Sequence, residues 1–339
     1  MNRSGCSRWS VLRSFSLLLA MLLSACLGAT ASLQSQSREE EEIVANLAGG
    51  RVIVHVARDG FIIFAAIQHP IEAGSIPPRV LEVDSDHVAI LLGASEWRLP
   101  ADPNPVRLDQ SFHRIGGRET RGYRAPDEPE PDLEAIGVSF LEQLRPLVSQ
   151  LHHKIDIATD EPLFEIVLIG FTPVDREPEV WTIEYRAQQE QVSARGDYLQ
   201  TRILRPRFEQ LYPPEKHAPR VMVEARYPIT KDPSVMAMIH SGDPQVAALR
   251  SADPRFTKVW DLLDRGQAQK VVDLDATDFL RAMLPLIAAK QPFFLGTMEY
   301  EHGVSWVVPP VEPVDGTKKA KDDKDRAPEA PSLRRRPND

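Results

Sequence analysis

Apolar residues lie in short bursts along the first part of the chain, a spacing typical of buried strands. Residues 52–56 and 61–67 form two such bursts, and the Asp-Gly pair between them is a strong hairpin signal. Residues 79–83 and 87–93 form a second pair around a polar turn. The sequence therefore predicts two consecutive hairpins, followed by a Pro- and Gly-rich surface excursion over residues 100–131.

A helix is predicted behind this excursion, because from Asp132 the apolar positions recur at steps of three and four residues. These positions are Leu133, Ile136, Phe140, Leu141, Leu144, Leu147, Val148 and Leu151. Pro146 lies inside the pattern and predicts a kink or an early end to the helix.

Strands return at residues 163–171 and 180–186. In the second, Trp181, Ile183 and Tyr185 alternate with polar residues, which predicts one buried face and one solvated face. Further predicted elements are strands at 198–204 and 220–227, helices at 233–250, 254–265 and 277–290 (the last capped by Asp275), and a hairpin at 293–308. This order predicts an α+β protein in which antiparallel sheets carry helices on their outer faces.

Residues 1–25 have the pattern of a bacterial secretory signal. Arg3, Arg8 and Arg13 precede an apolar run over residues 15–23, which is too short to span a ~30 Å hydrocarbon core as a mature helix. The run ends in Leu-Ser-Ala-Cys, the order that lipoprotein signal peptidase cleaves before the thiol of Cys26 is acylated.

Cysteine usage supports acylation, because Cys6 is discarded with the leader and Cys26 is then left without a disulfide partner. The alternative is an ordinary signal-peptidase cut after Ala31. With lipid on Cys26 as its membrane attachment, we expect the protein in the periplasm or cell envelope, and Leu27 in place of Asp favours the outer membrane.

Composition bounds the rest of the chain. The formal net charge is -9, and removing a leader with three arginines and no acids leaves -12, which argues against a nucleic-acid partner. Residues 26–42 are a polar tether, residues 43–314 suffice for one layered domain, and residues 315–339 are charged without apolar periodicity, which predicts a disordered tail.

Three segments resemble the proteasome-type N-terminal-nucleophile (Ntn) hydrolases. RVIVHVARDGFIIFAA at residues 51–66 is similar to the first hairpin of that family, and RVLEVDSDHVAILLGA at 79–94 is similar to the next. PLFEIVLIGF at 162–171 with VWTIEY at 180–185 resembles the hairpin after the first long helix, and GVSW at 303–306 adds a weaker match. The resemblance implies a four-layer αββα sandwich of two antiparallel sheets with helices on the outer faces.

The catalytic positions of the family carry other residues here. The family's nucleophile is a Thr, Ser or Cys that begins the first strand and uses its own α-amine as base. That position falls on Gly49 or Gly50, the acidic position falls on Ala66, and the basic position falls on Arg79, which cannot give up its proton. The resemblance therefore implies a member without the catalytic residues of the family and without a cofactor.

Other candidate metal-binding and partner-binding residues have a simpler structural interpretation. Adjacent His152 and His153 would point about 100° apart on a helix, and Asp273, Asp275 and Asp278 lack the calcium-loop pattern, so no metal site is predicted. Four arginines could form a basic strip that binds an acidic partner. The favoured interpretation is that they lie on a solvated strand edge. They are Arg202, Arg205, Arg207 and Arg220.

Three functional hypotheses follow. The first is an exported, lipid-anchored, proteasome-like protein that acts as a binding or assembly module, with a protein partner or a second copy of itself. The second is an active Ntn-type peptidase or amidohydrolase whose nucleophile lies elsewhere in the chain. The third is an unrelated structural envelope lipoprotein.

Overall fold

The computed structural model describes residues 44–69, 76–98, 106–108, 132–149, 162–191, 199–213, 222–227 and 233–310. The predicted leader with Cys26, the tether and the tail lie outside the described residues, as do His152, His153 and Arg220. Within the described ranges the protein is mixed α+β and contains two antiparallel sheets.

The first sheet, sheet A, holds the strands β1 (Val44–Ala48), β4 (Arg79–Glu82), β5 (His87–Arg98), β6 (Val106–Arg107), β7 (Pro162–Phe171), β8 (Pro178–Gln191), β9 (Leu199–Ile203) and β10 (Arg207–Tyr212). The main order is β1-β5-β7-β8-β10, with β4 and β6 also paired to β5 and β9 paired to β8. All of the pairs within this sheet that the structure describes are antiparallel.

The second sheet, sheet B, holds the strands β2 (Gly50–Val56), β3 (Ile62–Gln68), β11 (Val223–Tyr227), β12 (Phe293–Glu299) and β13 (Gly303–Val308). Their order is β11-β2-β3-β12-β13. The β2–β3 hairpin turns through a short 3₁₀ segment at Arg58–Gly60, where Gly60 has a φ of 81° that favours glycine.

The two sheets pack face to face through alternate residues of their strands. Val52, Val54 and Val56 of β2 belong to one buried cluster with residues of β3, β5, β7 and β8. The cluster includes Ile62, Phe64, Ala66, Val88, Ile90, Leu92, Val167, Ile169, Phe171, Val180 and Tyr227. Because successive residues of a strand point to opposite faces, the other residues of β2 point away from sheet A.

Helices cover the remaining sheet faces. In the described ranges these are α1 (Leu133–Val148), α2 (Val235–Ile239), α3 (Pro244–Ala252), α4 (Pro254–Asp264) and α5 (Asp273–Ala288). Helix α1 packs on β7 and β8, and helix α5 packs on β3 and β12. The second core cluster joins Ile53 and Ile63 of sheet B to Trp260, Phe279 and Leu280 of the helices.

The described helices were compared with the length and hydropathy that a membrane span requires. None of them has both the length and the apolar character needed to cross a bilayer.

Most predicted elements are confirmed, including the first two hairpins, the helix that begins after its Asp132 cap, and the closing hairpin. Two predictions were wrong in detail. The region 233–250 is two helices rather than one, because Gly242 takes a φ of 72° between them. Asp275 lies in the first turn of α5 instead of capping it. Strands β1, β6 and β10 were not predicted, and β6 lies within the range predicted as a surface excursion.

Candidate functional site

Gly50, one of the two positions that the sequence resemblance assigns to the family's nucleophile, begins strand β2. It lies opposite Gln68 of β3 and Tyr227 of β11. Tyr227 and the next-but-one residue Val52 both belong to the core between the sheets, so Gly50 faces sheet A.

There is no room for a side chain at this position. A Cβ atom built on Gly50 would lie 2.4 Å from Cγ of Pro78 and 2.5 Å from the backbone oxygen of Ile67. Both distances are far shorter than any carbon contact that a folded protein tolerates. Neither a threonine nor a serine fits there while Pro78 keeps its place.

The start of β2 also lies within a continuous chain. Strand β1 pairs with β5 in sheet A and ends at Ala48, and Gly49 alone carries the chain across to Gly50 in sheet B. The nitrogen of Gly50 is therefore a peptide nitrogen, which lacks the basicity of the α-amine that the family's mechanism needs.

Ala66 and Arg79 match the family's other catalytic positions, and neither supplies the family's chemistry. Ala66 is 1% exposed and lies opposite Val52 and Phe294, so its methyl group is part of the core. Arg79 begins β4 between Pro78, which contacts Gly50, and Val80, which packs against the inter-sheet core. Strand alternation therefore places Arg79 on the opposite face of β4 from Gly50.

A polar cluster lies on the inter-sheet face of sheet A, near the end where β1 crosses to β2. Glu165 follows the same alternation as Val167 and Ile169 of β7, and it lies opposite Glu184 of β8. The hydroxyl of Thr182 donates a hydrogen bond of 2.7 Å to Oε1 of Glu165. We call Glu165, Thr182, Glu184 and Arg186 the inter-sheet polar cluster.

Burial controls the chemistry of this cluster. It raises the pKa of Glu165 to about 7, and the charge of Glu184 acts in the same direction, while the hydrogen bond from Thr182 and the charge of Arg186 act against it. Arg186 forms a close ion pair with Glu184. The cluster therefore contains one carboxyl group that changes charge near neutral pH and one that is paired with a cation.

The polar face of β8 corrects a prediction from the sequence. The alternation of polar and apolar residues was predicted correctly, but part of the polar face is buried rather than solvated. Thr182 is only 7% exposed because this face looks toward the space between the sheets. Sequence reasoning also missed Glu165, whose only signal is an acid at an inward position of an otherwise apolar strand.

A second buried polar group holds the edge of sheet B. Arg51, 2% exposed, has its Nε 3.1 Å from Oε1 of Glu224 on the neighbouring strand β11, and Nε of Arg226 lies 2.9 Å from the same oxygen. The other oxygen of Glu224 accepts a hydrogen bond of 3.1 Å from the backbone of Val235 at the start of α2. The network ties β2, β11 and α2 together, which is a structural role.

His87 is a further buried titratable residue with a structural role. Its Nδ1 lies 2.8 Å from a carboxylate oxygen of Asp84, and its Nε2 lies 3.1 Å from the backbone oxygen of Phe171. The ring packs so closely on Gly170 that a Cβ there would lie 2.4 Å from its Cδ2. These contacts fix the turn between β4 and β5 against the end of β7.

Two of the three acidic candidates, Asp275 and Asp278, pair with an arginine. Nη1 of Arg255 lies 3.0 Å from an oxygen of Asp278 and 3.7 Å from an oxygen of Asp275. Among the residues that the structure describes, no group of three or more His, Cys, Asp or Glu side chains is placed to hold a metal ion. The acids at the start of α5 thus serve the packing of α4 against α5.

No family model matches the chain, and no curated protein matches it.

Proposed function

We propose that this protein is an exported, lipid-anchored member of the Ntn-hydrolase fold class that has no N-terminal nucleophile and acts as a binding or assembly module. In this proposal the two sheets and their helices form the four-layer αββα sandwich of that class. The acylated Cys26 holds the domain at the surface of a membrane, with the outer membrane favoured. The partner is a protein or a second copy of the chain.

The observation that carries the absence of a nucleophile is the contact of Pro78 with Gly50. The nucleophile position is not merely occupied by glycine, because the space that a side chain would need is filled by another residue. The carboxylate position is an apolar core residue, Ala66, and Arg79 lies on the wrong face of its strand. Differences from the family at three positions in three separate strands support the loss of catalysis more strongly than a difference at one position would.

The facing sheets bear on the third hypothesis. Two antiparallel sheets that share a buried core, each with helices on its other face, support a relationship to the Ntn class over an unrelated architecture. Fold alone does not give activity, so the choice between the first two hypotheses depends on the site.

One observation favours the second hypothesis, a hydrolase with a displaced nucleophile. The hydroxyl of Thr182 donates a hydrogen bond to Glu165, a carboxylate whose pKa near 7 suits a general base. Thr182 is 7% exposed in the middle of β8, so a substrate has little access to the hydroxyl. We therefore keep this pair as the alternative.

Electrophilic labelling tests the choice. The mature protein, incubated with electrophiles that trap catalytic Thr, Ser or Cys residues, should show no covalent adduct by intact mass, and fluorogenic peptides should not be hydrolysed. An adduct on Thr182 that is absent from the Thr182→Val variant would instead establish the second hypothesis. The Thr257→Val variant is the matched control, since Thr257 lies in α4 and bonds only to the backbone of Arg250.

A further inference from the structure

A cleft lies on the outer face of sheet A, opposite to the face that carries the inter-sheet core. It is formed by the second half of α1 on one side and by β8 with the segment 203–209 on the other. Its volume is about 800 Å³. Pockets that bind small molecules in proteins commonly fall in the range of ~300–1,000 Å³.

The floor and walls of the cleft are mostly apolar. Leu141 and Val148 contribute from α1, Tyr185 contributes from β8, and Phe208 contributes from β10. Phe208 is held in place by stacking on Trp181, with the ring centroids 4.8 Å apart. These side chains give the cleft an apolar surface that can pack against a hydrocarbon chain.

Two cations at the cleft lack a carboxylate partner. Arg145 on α1 and Arg205 in the segment between β9 and β10 both line the cleft and are both exposed. Neither forms an ion pair with any residue that the structure describes, whereas Arg207, the third arginine of the lining, lies 4.0 Å from Glu184. Glu209 is the one acid among the lining residues, and it too is exposed.

The hydroxyl of Tyr185 adds a polar group to the apolar floor. It makes only a long hydrogen bond of 3.4 Å, to the backbone oxygen of Leu141. Burial raises the pKa of Tyr185 to about 12, and the charge of Arg145 opposes that shift, so the hydroxyl stays protonated and lies within the field of this guanidinium. A protonated phenol beside an arginine is a donor pair for an oxyanion.

We infer that this cleft binds an amphipathic anion, with its hydrocarbon chain against the floor and its carboxylate or phosphate head between Arg145 and Arg205. Charge complementarity supports an anion, because two guanidiniums that form no ion pair with the described residues flank the cleft of a chain whose net charge is -9. The apolar floor supports the hydrocarbon chain. The inference rests on the cleft alone and holds whether or not Cys26 is acylated.

The binding test uses the chain from residue 26 onward with Cys26→Ser, purified without detergent because a detergent would compete for the cleft. Titration calorimetry then compares laurate, monododecyl phosphate, the neutral dodecyl maltoside and inorganic phosphate, each amphiphile below its micelle concentration. Laurate or dodecyl phosphate should bind at least about tenfold more tightly than the neutral amphiphile, as expected for charge-assisted hydrogen bonds. Inorganic phosphate should bind weakly, because it lacks the chain. A preference between the two anionic amphiphiles would show whether the head is a carboxylate or a phosphate.

Variants locate the site. Arg145→Ala and Arg205→Ala should each weaken binding of the preferred anion about tenfold, while Arg145→Lys should lose less because it keeps the charge. The matched control is Arg281→Ala, which removes one exposed arginine from α5 and should leave binding unchanged. Circular dichroism on every variant checks folding, which these exposed positions should not affect. Equal binding of the neutral amphiphile, equal loss in the Arg281→Ala variant, or no binding of either anion would overturn the inference.

Discussion

Gly50 and Gly93 show two different reasons for glycine in strands that face each other. Gly93 has a φ of 89°, which residues with a side chain rarely adopt, and a Cβ there would lie 2.6 Å from Cα of Phe164. Gly50 has no such backbone requirement, and only the closeness of Pro78 and Ile67 excludes a side chain. The sequence shows a glycine where β2 begins, but it could not predict that a proline 28 positions later fills the space that a side chain would need.

We expect Gly50→Ala to destabilise the protein by about 1–3 kcal/mol, the usual range for an overpacked core position. Urea unfolding followed by circular dichroism measures this change. Gly242→Ala is the control, because Gly242 has open space around it and carries only the cost of its φ of 72°. If Gly50→Ala costs no more than Gly242→Ala, then Pro78 moves aside easily and the nucleophile position is not closed.

Glu165 makes stability depend on pH in an unusual direction for a carboxyl group. Its pKa is raised to about 7 in the folded protein, so the folded state binds the proton more tightly than the unfolded chain does. The stability that comes from the protonated form is fully present below the unfolded pKa of 4.5 and is lost as the pH rises through about 7. His55 acts in the opposite direction, because burial lowers its pKa from 6.5 to about 4 and stability falls as the pH falls through that range.

Glu165→Gln should therefore raise the free energy of unfolding at pH 8.5 by on the order of 1–3 kcal/mol, and the gain should shrink to near zero at pH 4.5. Gln keeps an oxygen that can accept the hydrogen bond from Thr182. The difference between the two proteins cancels the contribution of His55, which is present in both. A gain that is the same at both pH values would mean that Glu165 is not protonated near neutral pH in the fold.

Among the elements, those with strong local signals were predictable and those held by distant partners were not. The β2–β3 hairpin has its turn chemistry written into residues 57–60, and α1 has both a cap at Asp132 and a regular apolar face. Strand β1 has no such signal, because its partner residues in β5 lie more than 40 positions away. Strand β10 likewise depends on a partner, because it forms by antiparallel pairing with β8.

The faces of the elements were harder to predict than their existence. Alternation in β8 correctly separated two faces, but alternation alone cannot say whether the polar face meets water or a second sheet. The cleft could not be predicted either, because Arg145 and Arg205 lie 60 positions apart in the sequence. They line one cleft only because α1 packs on sheet A. Of the candidate site, the sequence singled out Gly50, Ala66 and Arg79 through the resemblance, but it predicted neither the inter-sheet polar cluster nor the cleft.

Helix α1 contains a glycine where helix propensity favours alanine. A Cβ on Gly137 would lie 2.3 Å from Cζ of Phe208, and the stacking of Phe208 on Trp181 limits the movement of that ring. We expect Gly137→Ala to lose about 1–2 kcal/mol of stability through this clash, although alanine in an open helix would gain about 1 kcal/mol. In a Phe208→Leu background the same change should cost less or become favourable. Additive effects of the two substitutions in a thermal-unfolding cycle would rule out the contact as the cause.

At the scale of the whole molecule, the candidate sites lie on opposite faces of sheet A. The core between the sheets holds the closed position at Gly50, and the inter-sheet polar cluster lines the same face of sheet A. The outer face of sheet A holds the cleft under α1. A ligand can therefore bind on the outer face of sheet A without entering the core between the sheets.

The last prediction concerns how the molecule is held in the cell. The order Leu-Ser-Ala-Cys predicts both the cut and the acyl acceptor, and the polar residues up to 42 are predicted to be a tether. Each buried methylene of an acyl chain contributes about 0.8 kcal/mol to membrane binding, so several chains on Cys26 would anchor the protein firmly. Mass spectrometry of the mature protein should therefore show an acylated amino terminus at Cys26, and the protein should sediment with membranes. Cys26→Ala should abolish the acylation and the processing at this site. A mature chain that begins at Ser32, the residue after the alternative cut, would show that ordinary signal peptidase processes the leader and would remove the membrane anchor from the proposed function.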